Sequence, residues 1–172
     1  AVWLPLFAGT IERAIRTYGS MTNGVDVETH NLKALGSFTT RDNVLHRAEL
    51  MLQLYPRQQQ QLAEIAEGKE LPSSLLYSDL DFQVTNLLAI DRGVDSIRAL
   101  EAKSGVHFGT IMTLAFANPF PYLMDRSAPR LIAIGADPFR AVPEPDAEVL
   151  KEVAGTDLAL YPKCPGTWAN VR

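Results

Sequence analysis

Four residues of types that bind small polar ligands follow apolar segments in the second half of the chain. Each stands close to the end of its segment, among turn-forming residues: Asn118, Gly135, Asp137 and Lys163. An amide can read a base or a sugar, a carboxylate can accept two ribose hydroxyls, and an ammonium neutralises a phosphate. Glycine lets a backbone come close to a ligand. We predict Asn118, Gly135 and Lys163 as substrate-binding residues and Asp137 as a catalytic residue.

The three histidines are candidates for acid–base chemistry, because imidazole titrates near neutral pH. His30 lies in a segment without clear periodicity, and we predict it as a general base. His46 lies beside the apolar face of a helical pattern and His107 begins an apolar run, which favours structural roles for both. No H-x-x-x-H pair is present and Cys164 is the single cysteine, so we expect neither a metal nor a cofactor.

Other catalytic motifs are weak or absent. Asp79 and Asp81 form a D-x-D pair, and such carboxylates share a divalent cation in some sugar transferases, although helix capping is the favoured interpretation here. Neither G-x-G-x-x-G nor G-x-x-x-x-G-K-[ST] occurs, and no G-x-S-x-G elbow is present. A nucleotide-sugar site needs none of these motifs, because a helix N-terminus can hold a diphosphate without them.

The elements that must position these residues alternate in the C-terminal half. The predicted order is a strand over residues 106–117, a helix over 122–126, a strand over 130–134, a helix over 146–154 and a strand over 157–160. Strand–helix–strand alternation implies parallel strands joined by right-handed crossovers. Ligands of open parallel sheets bind outside the carboxyl ends of the strands. The sequence therefore predicts an α/β fold with a mainly parallel, three-layer, Rossmann-like sheet.

The N-terminal part is predicted to be helical. Apolar residues recur at helical spacing from Asp42 onward, and Pro56 is expected to kink or divide that helix. Two further helices are predicted over residues 79–90 and 94–103, separated by Asp91-Arg92-Gly93. The chain is interpreted as a single domain or a fragment, with residues 1–74 mainly helical and residues 75–172 forming the α/β part.

The composition limits the functional class. The chain has 172 residues, 47% hydrophobic and 21% charged, as in ordinary globular domains. The net charge of −4 disfavours nucleic-acid binding, because contacts with the phosphate backbone need clustered cations. No apolar run approaches the roughly 20 residues of a membrane helix. A single cysteine favours a reducing compartment, so we expect a cytoplasmic location.

Three functions remain open on the sequence. The first is the nucleotide-sugar-binding portion of a glycosyltransferase-like enzyme, supported by the strand ends and by residues 114–122, whose strand–Asn-Pro-aromatic turn resembles turns in sugar-active α/β domains. The second is a non-enzymatic interaction or regulatory module that binds a partner protein through residues 43–67, with a homo-oligomer also compatible. The third is a hydrolase that uses Asp137 or His30.

Overall fold

The architecture was taken from a computed structural model, which describes residues 11–12, 14–15, 18–19, 23–67, 79–115, 117–132 and 146–161. Short helical stretches at residues 11–19 precede the elements numbered here. These elements are, in chain order, β1 (Gly24–Glu28), β2 (Ser37–Arg41), α1 (Asp42–Glu67), α2 (Asp79–Ser104), β3 (Ile111–Thr113), α3 (Phe120–Met124), α4 (Ala147–Ala154) and β4 (Leu158–Leu160).

The predicted three-layer parallel sheet is wrong. Within the described residues the strands form two separate two-stranded sheets, the antiparallel pair β1–β2 and the parallel pair β3–β4. A strand was predicted over residues 130–134, but Arg130 and Leu131 lie in a turn, and residues 133 and 134 lie outside the described part. Leu131 has a φ of 70°, a left-handed conformation that a strand cannot contain.

The β1–β2 pair lies in the part of the chain that was predicted to be mainly helical. Its register joins Gly24 to Arg41 and Glu28 to Ser37, and the Thr39 hydroxyl donates to Asp26 at 2.6 Å across the pair. Side chains alternate along both strands between exposed and inward-facing positions, as the pleat requires. Strand β2 runs directly into α1, so the pair fixes where that helix begins.

Helices α1 and α2 pack against each other around an apolar core. The buried residues of this core are Val44, Ala48, Val84 and Leu88, and the half-buried Val27 and Phe38 of the β1–β2 pair pack against them. The expected kink in α1 is confirmed, since Pro56 lies inside the helix and Gln58 departs from helical geometry at φ −126°. None of the helices within the described ranges combines the length and apolarity needed to cross a bilayer.

Helix α2 is continuous through residues 91–93, so the predicted break there is wrong. The Phe120 ring occupies the space that a side chain at position 93 would fill, and glycine leaves that space free. A Cβ at this position would lie 2.9 Å from Phe120 Cε1. Immediately beyond it, Val94 and Ile97 join Phe108, Ile111 and Met124 in a second buried core. The missing side chain therefore lets α3 pack against α2.

We predict that Gly93→Ala destabilises the protein although alanine favours helices. Alanine gains about 1 kcal/mol of helix propensity over glycine, whereas overpacking a filled site costs about 1–3 kcal/mol. Urea unfolding should therefore show a net loss of about 1 kcal/mol. In a Phe120→Ala background, where the ring is absent, the same Gly93→Ala change should stabilise the protein. An equal effect in both backgrounds would contradict this close contact.

Candidate functional site

The strand predicted over residues 106–117 is limited to β3, which ends at Thr113, and this short strand pairs with β4. They pair in parallel from Ile111 with Leu158 to Thr113 with Leu160. The Leu114 amide extends this pairing by donating to the Leu160 carbonyl at 2.8 Å. Because the strands run in the same direction, the loops that follow them leave from the same edge, called here the carboxyl edge of the β3–β4 pair.

Asn118 lies in the loop that leaves this carboxyl edge after β3. Its Nδ2 donates to the carbonyl of Ile111 at 2.9 Å, and the buried Thr113 hydroxyl donates to the carbonyl of Ala117 at 2.7 Å. These two bonds fold the loop back onto its own strand. The Asn118 Oδ1 atom is buried and has no hydrogen-bond partner among the described residues. A buried acceptor without a donor lowers the free energy of unfolding by about 1–3 kcal/mol. The contacts among the described residues do not explain why this oxygen is left unpaired.

The other predicted substrate-binding and catalytic residues are placed differently. Gly135, Asp137 and Lys163 lie outside the described residues, so their grouping with Asn118 stays a prediction. His30 is exposed and lies in the loop between β1 and β2, not after a strand of the parallel pair. Within the described part of the chain, no group is hydrogen-bonded to its imidazole ring.

Residues 29–36, called here the hairpin loop, are held on α2 mainly by Asp91. Asp91 Oδ1 accepts the backbone N–H groups of His30 at 3.1 Å and Asn31 at 2.8 Å. Asn31 Nδ2 in turn donates to the Asp91 carbonyl and to Asp95, both at 3.0 Å. Asp91 and Asn31 are both buried, and so are the two bonds between them. The backbone of His30, and not its side chain, is thus part of the structural framework.

A second contact of the hairpin loop reaches α3. Lys33 Nζ lies 2.5 Å from Asp125 Oδ1 and 4.6 Å from the centroid of the Tyr122 ring. Asp125 caps the end of α3 in a left-handed conformation with φ 55°. The loop therefore contacts both α2 and the short helix that follows Asn118.

The D-x-D pair has a structural use at its second position. Asp81 is 1% exposed, and its Oδ1 lies 2.7 Å from Nε of Arg47 on α1. A buried carboxylate that is neutralised by a guanidinium is poorly suited to hold a divalent cation. Across the ranges that the structure describes, no cluster of three or more His, Cys, Asp or Glu side chains could hold a metal ion.

A surface ion pair joins the turn after α3 to α4. Arg130 Nη2 lies 2.7 Å from Glu152 Oε1, and the Arg130 backbone N–H donates to Oε2 at 3.2 Å. The hydrogen bond from the guanidinium lowers the pKa of the Glu152 carboxyl below its ordinary value. This ion pair lies on the surface. It links the turn after α3 to α4 within the connection between β3 and β4, and its role is structural.

No family model, no curated protein and no solved structure matches this chain significantly.

We predict that Asp91→Ala detaches the hairpin loop. The change leaves two backbone N–H groups without their acceptor, and a hydrogen bond to a charged group contributes about 1.5–3 kcal/mol. Urea unfolding should show a loss of about 2–4 kcal/mol, and amide exchange at His30 and Asn31 should accelerate. Asp91→Asn is the matched control, because it keeps an acceptor oxygen and should lose less. Unchanged exchange at both amides in the alanine variant would rule out the attachment.

Proposed function

We propose that this chain is the nucleotide-sugar-binding portion of a glycosyltransferase-like enzyme, with the ligand held at the carboxyl edge of the β3–β4 pair. The observation that carries the proposal is the unpaired Oδ1 of Asn118 at that edge. Parallel strands direct their trailing loops to a common edge, and that edge is where α/β proteins hold small ligands. An acceptor without a donor at such a position fits a ligand rich in hydroxyl groups.

Each residue has a distinct part in this proposal. Asn118 accepts a hydrogen bond from a sugar or ribose hydroxyl, or from a base N–H group. Asp137 accepts the ribose hydroxyls, Lys163 neutralises the diphosphate, and Gly135 admits the ligand close to the backbone. Because Asn118 Oδ1 is covered in the structure, ligand binding requires its side chain or its loop to shift outward.

The partner-docking alternative has less support. It assigned residues 43–67 to a partner protein, but the apolar residues Val44 and Ala48 of α1 are buried against α2. Among the α1 side chains that the structure describes, Leu50 is exposed at 48%, and single exposed apolar residues are normal on protein surfaces. A cytoplasmic location remains part of the proposal and rests on the single cysteine.

A thermal-shift series with UDP-, GDP- and CMP-sugars tests the proposal. One of these ligands should raise the melting temperature, because a ligand at 100 times its Kd stabilises the folded state by about 2.7 kcal/mol. Asn118→Ala should abolish this shift, measured against the melting temperature of the variant without ligand.

Thr113→Val is the matched control for Asn118→Ala. It removes the hydroxyl bond to Ala117 and loosens the same loop, but it leaves the Asn118 amide intact. The ligand-induced shift should therefore persist in this variant. If no nucleotide sugar stabilises the wild-type chain, or if Asn118→Ala keeps the full shift, the proposal is wrong.

A further inference from the structure

Glu101 and His107 face each other where the chain leaves α2 and turns toward β3. The turn passes through Gly105, whose φ of 70° suits glycine, and it returns the chain alongside the last turns of the helix. As a result His107 Nδ1 lies 3.3 Å from Glu101 Oε1. The imidazole is 65% exposed, whereas the carboxylate is 14% exposed.

The Glu101 carboxylate is fixed from two other directions. Its Oε1 accepts the backbone N–H of Phe108 at 2.8 Å, and its Oε2 lies 3.5 Å from Nη2 of Arg126. These two contacts hold the carboxylate in one orientation. Glu101 is therefore a fixed negative charge behind an accessible imidazole.

This arrangement decides which imidazole nitrogen is available. A carboxylate beside Nδ1 favours the tautomer that carries its proton there, which leaves the lone pair of Nε2 free. An imidazole beside a carboxylate can take a proton from an attacking group and return it to a leaving group. His30, by contrast, has no carboxylate within ion-pair distance of its ring among the described residues, so no neighbouring charge selects one of its tautomers.

We propose that Glu101 and His107 form an acid–base site that hydrolyses small activated esters. Nε2 of His107 takes a proton from water as the water oxygen bonds to the ester carbonyl carbon. The carbon–oxygen bond to the alcohol then breaks, and the departing oxygen receives that proton from the imidazolium. His107 is the catalytic residue and Glu101 is its positioning residue.

This acid–base site is separate from the proposed nucleotide-sugar site. His107 precedes β3 and lies beside Glu101 of α2, whereas Asn118 follows β3 and its amide bonds to the strand itself. The hydrolytic proposal requires no residue of the carboxyl edge, and each proposal can fail without the other.

The tautomer of His107 provides the first test, by long-range ¹⁵N–¹H NMR of the whole chain at a pH where the ring is neutral. We expect the proton on Nδ1 in the wild type and on Nε2 in Glu101→Gln. The glutamine keeps an acceptor for the Phe108 N–H but lacks the negative charge. A proton on Nε2 in the wild type, or the same tautomer in both proteins, would overturn the role of Glu101.

Hydrolysis of p-nitrophenyl acetate provides the second test. His107→Gln should lower the rate at least tenfold, and Glu101→Gln should lower it by a smaller factor, with circular dichroism confirming that both variants are folded. His46→Gln is the matched control and should keep the wild-type rate, because His46 lies on α1 away from this turn. A wild-type rate in His107→Gln, or an equal loss in His46→Gln, would overturn the proposed activity.

Discussion

The continuity of α2 through Gly93 is the constraint on which the remaining structure depends. Its first turns carry Val84 and Leu88 into the core shared with α1. In its middle, Asp91 accepts hydrogen bonds from the hairpin loop, and Gly93 leaves space for the Phe120 ring. Its final turns hold the Glu101 carboxylate beside His107. A break at Gly93 would separate these contacts, because they would no longer lie along one rigid axis.

Local features of the chain were predictable because the residues that produce them are neighbours. The Asp146 side chain accepts the backbone N–H groups of Glu148 and Val149, as an N-cap residue should, and α4 begins where the sequence predicted. Pro56 kinks α1 for an equally local reason, since proline lacks the amide hydrogen of a helix interior. Such signals need no knowledge of the rest of the fold.

The errors arose where distant residues override local preference. Asp91 and Gly93 resemble turn residues in sequence, yet Asp91 serves backbone groups 60 and 61 positions away and Gly93 accommodates an aromatic ring. Strand β2 was missed because SFTTR has little apolar content and gains its conformation from pairing with β1. The sequence predicted that Asn118 directly follows a strand, but β3 ends at Thr113, before the end of the apolar run at Ala117. The unpaired oxygen of Asn118 could not be predicted either, because hydrogen-bond satisfaction depends on packing.

The attraction between Lys33 and Asp125 depends on ionic strength. It joins positions 92 residues apart, and the carboxylate is 85% exposed, so dissolved ions screen the attraction. The bond that Asp91 accepts from the Asn31 amide is buried and escapes most of this screening. Concentrated salt should therefore loosen the hairpin loop from α3 while leaving it attached to α2, so that the motions of the β1–β2 pair and of the segment after Asn118 become less correlated.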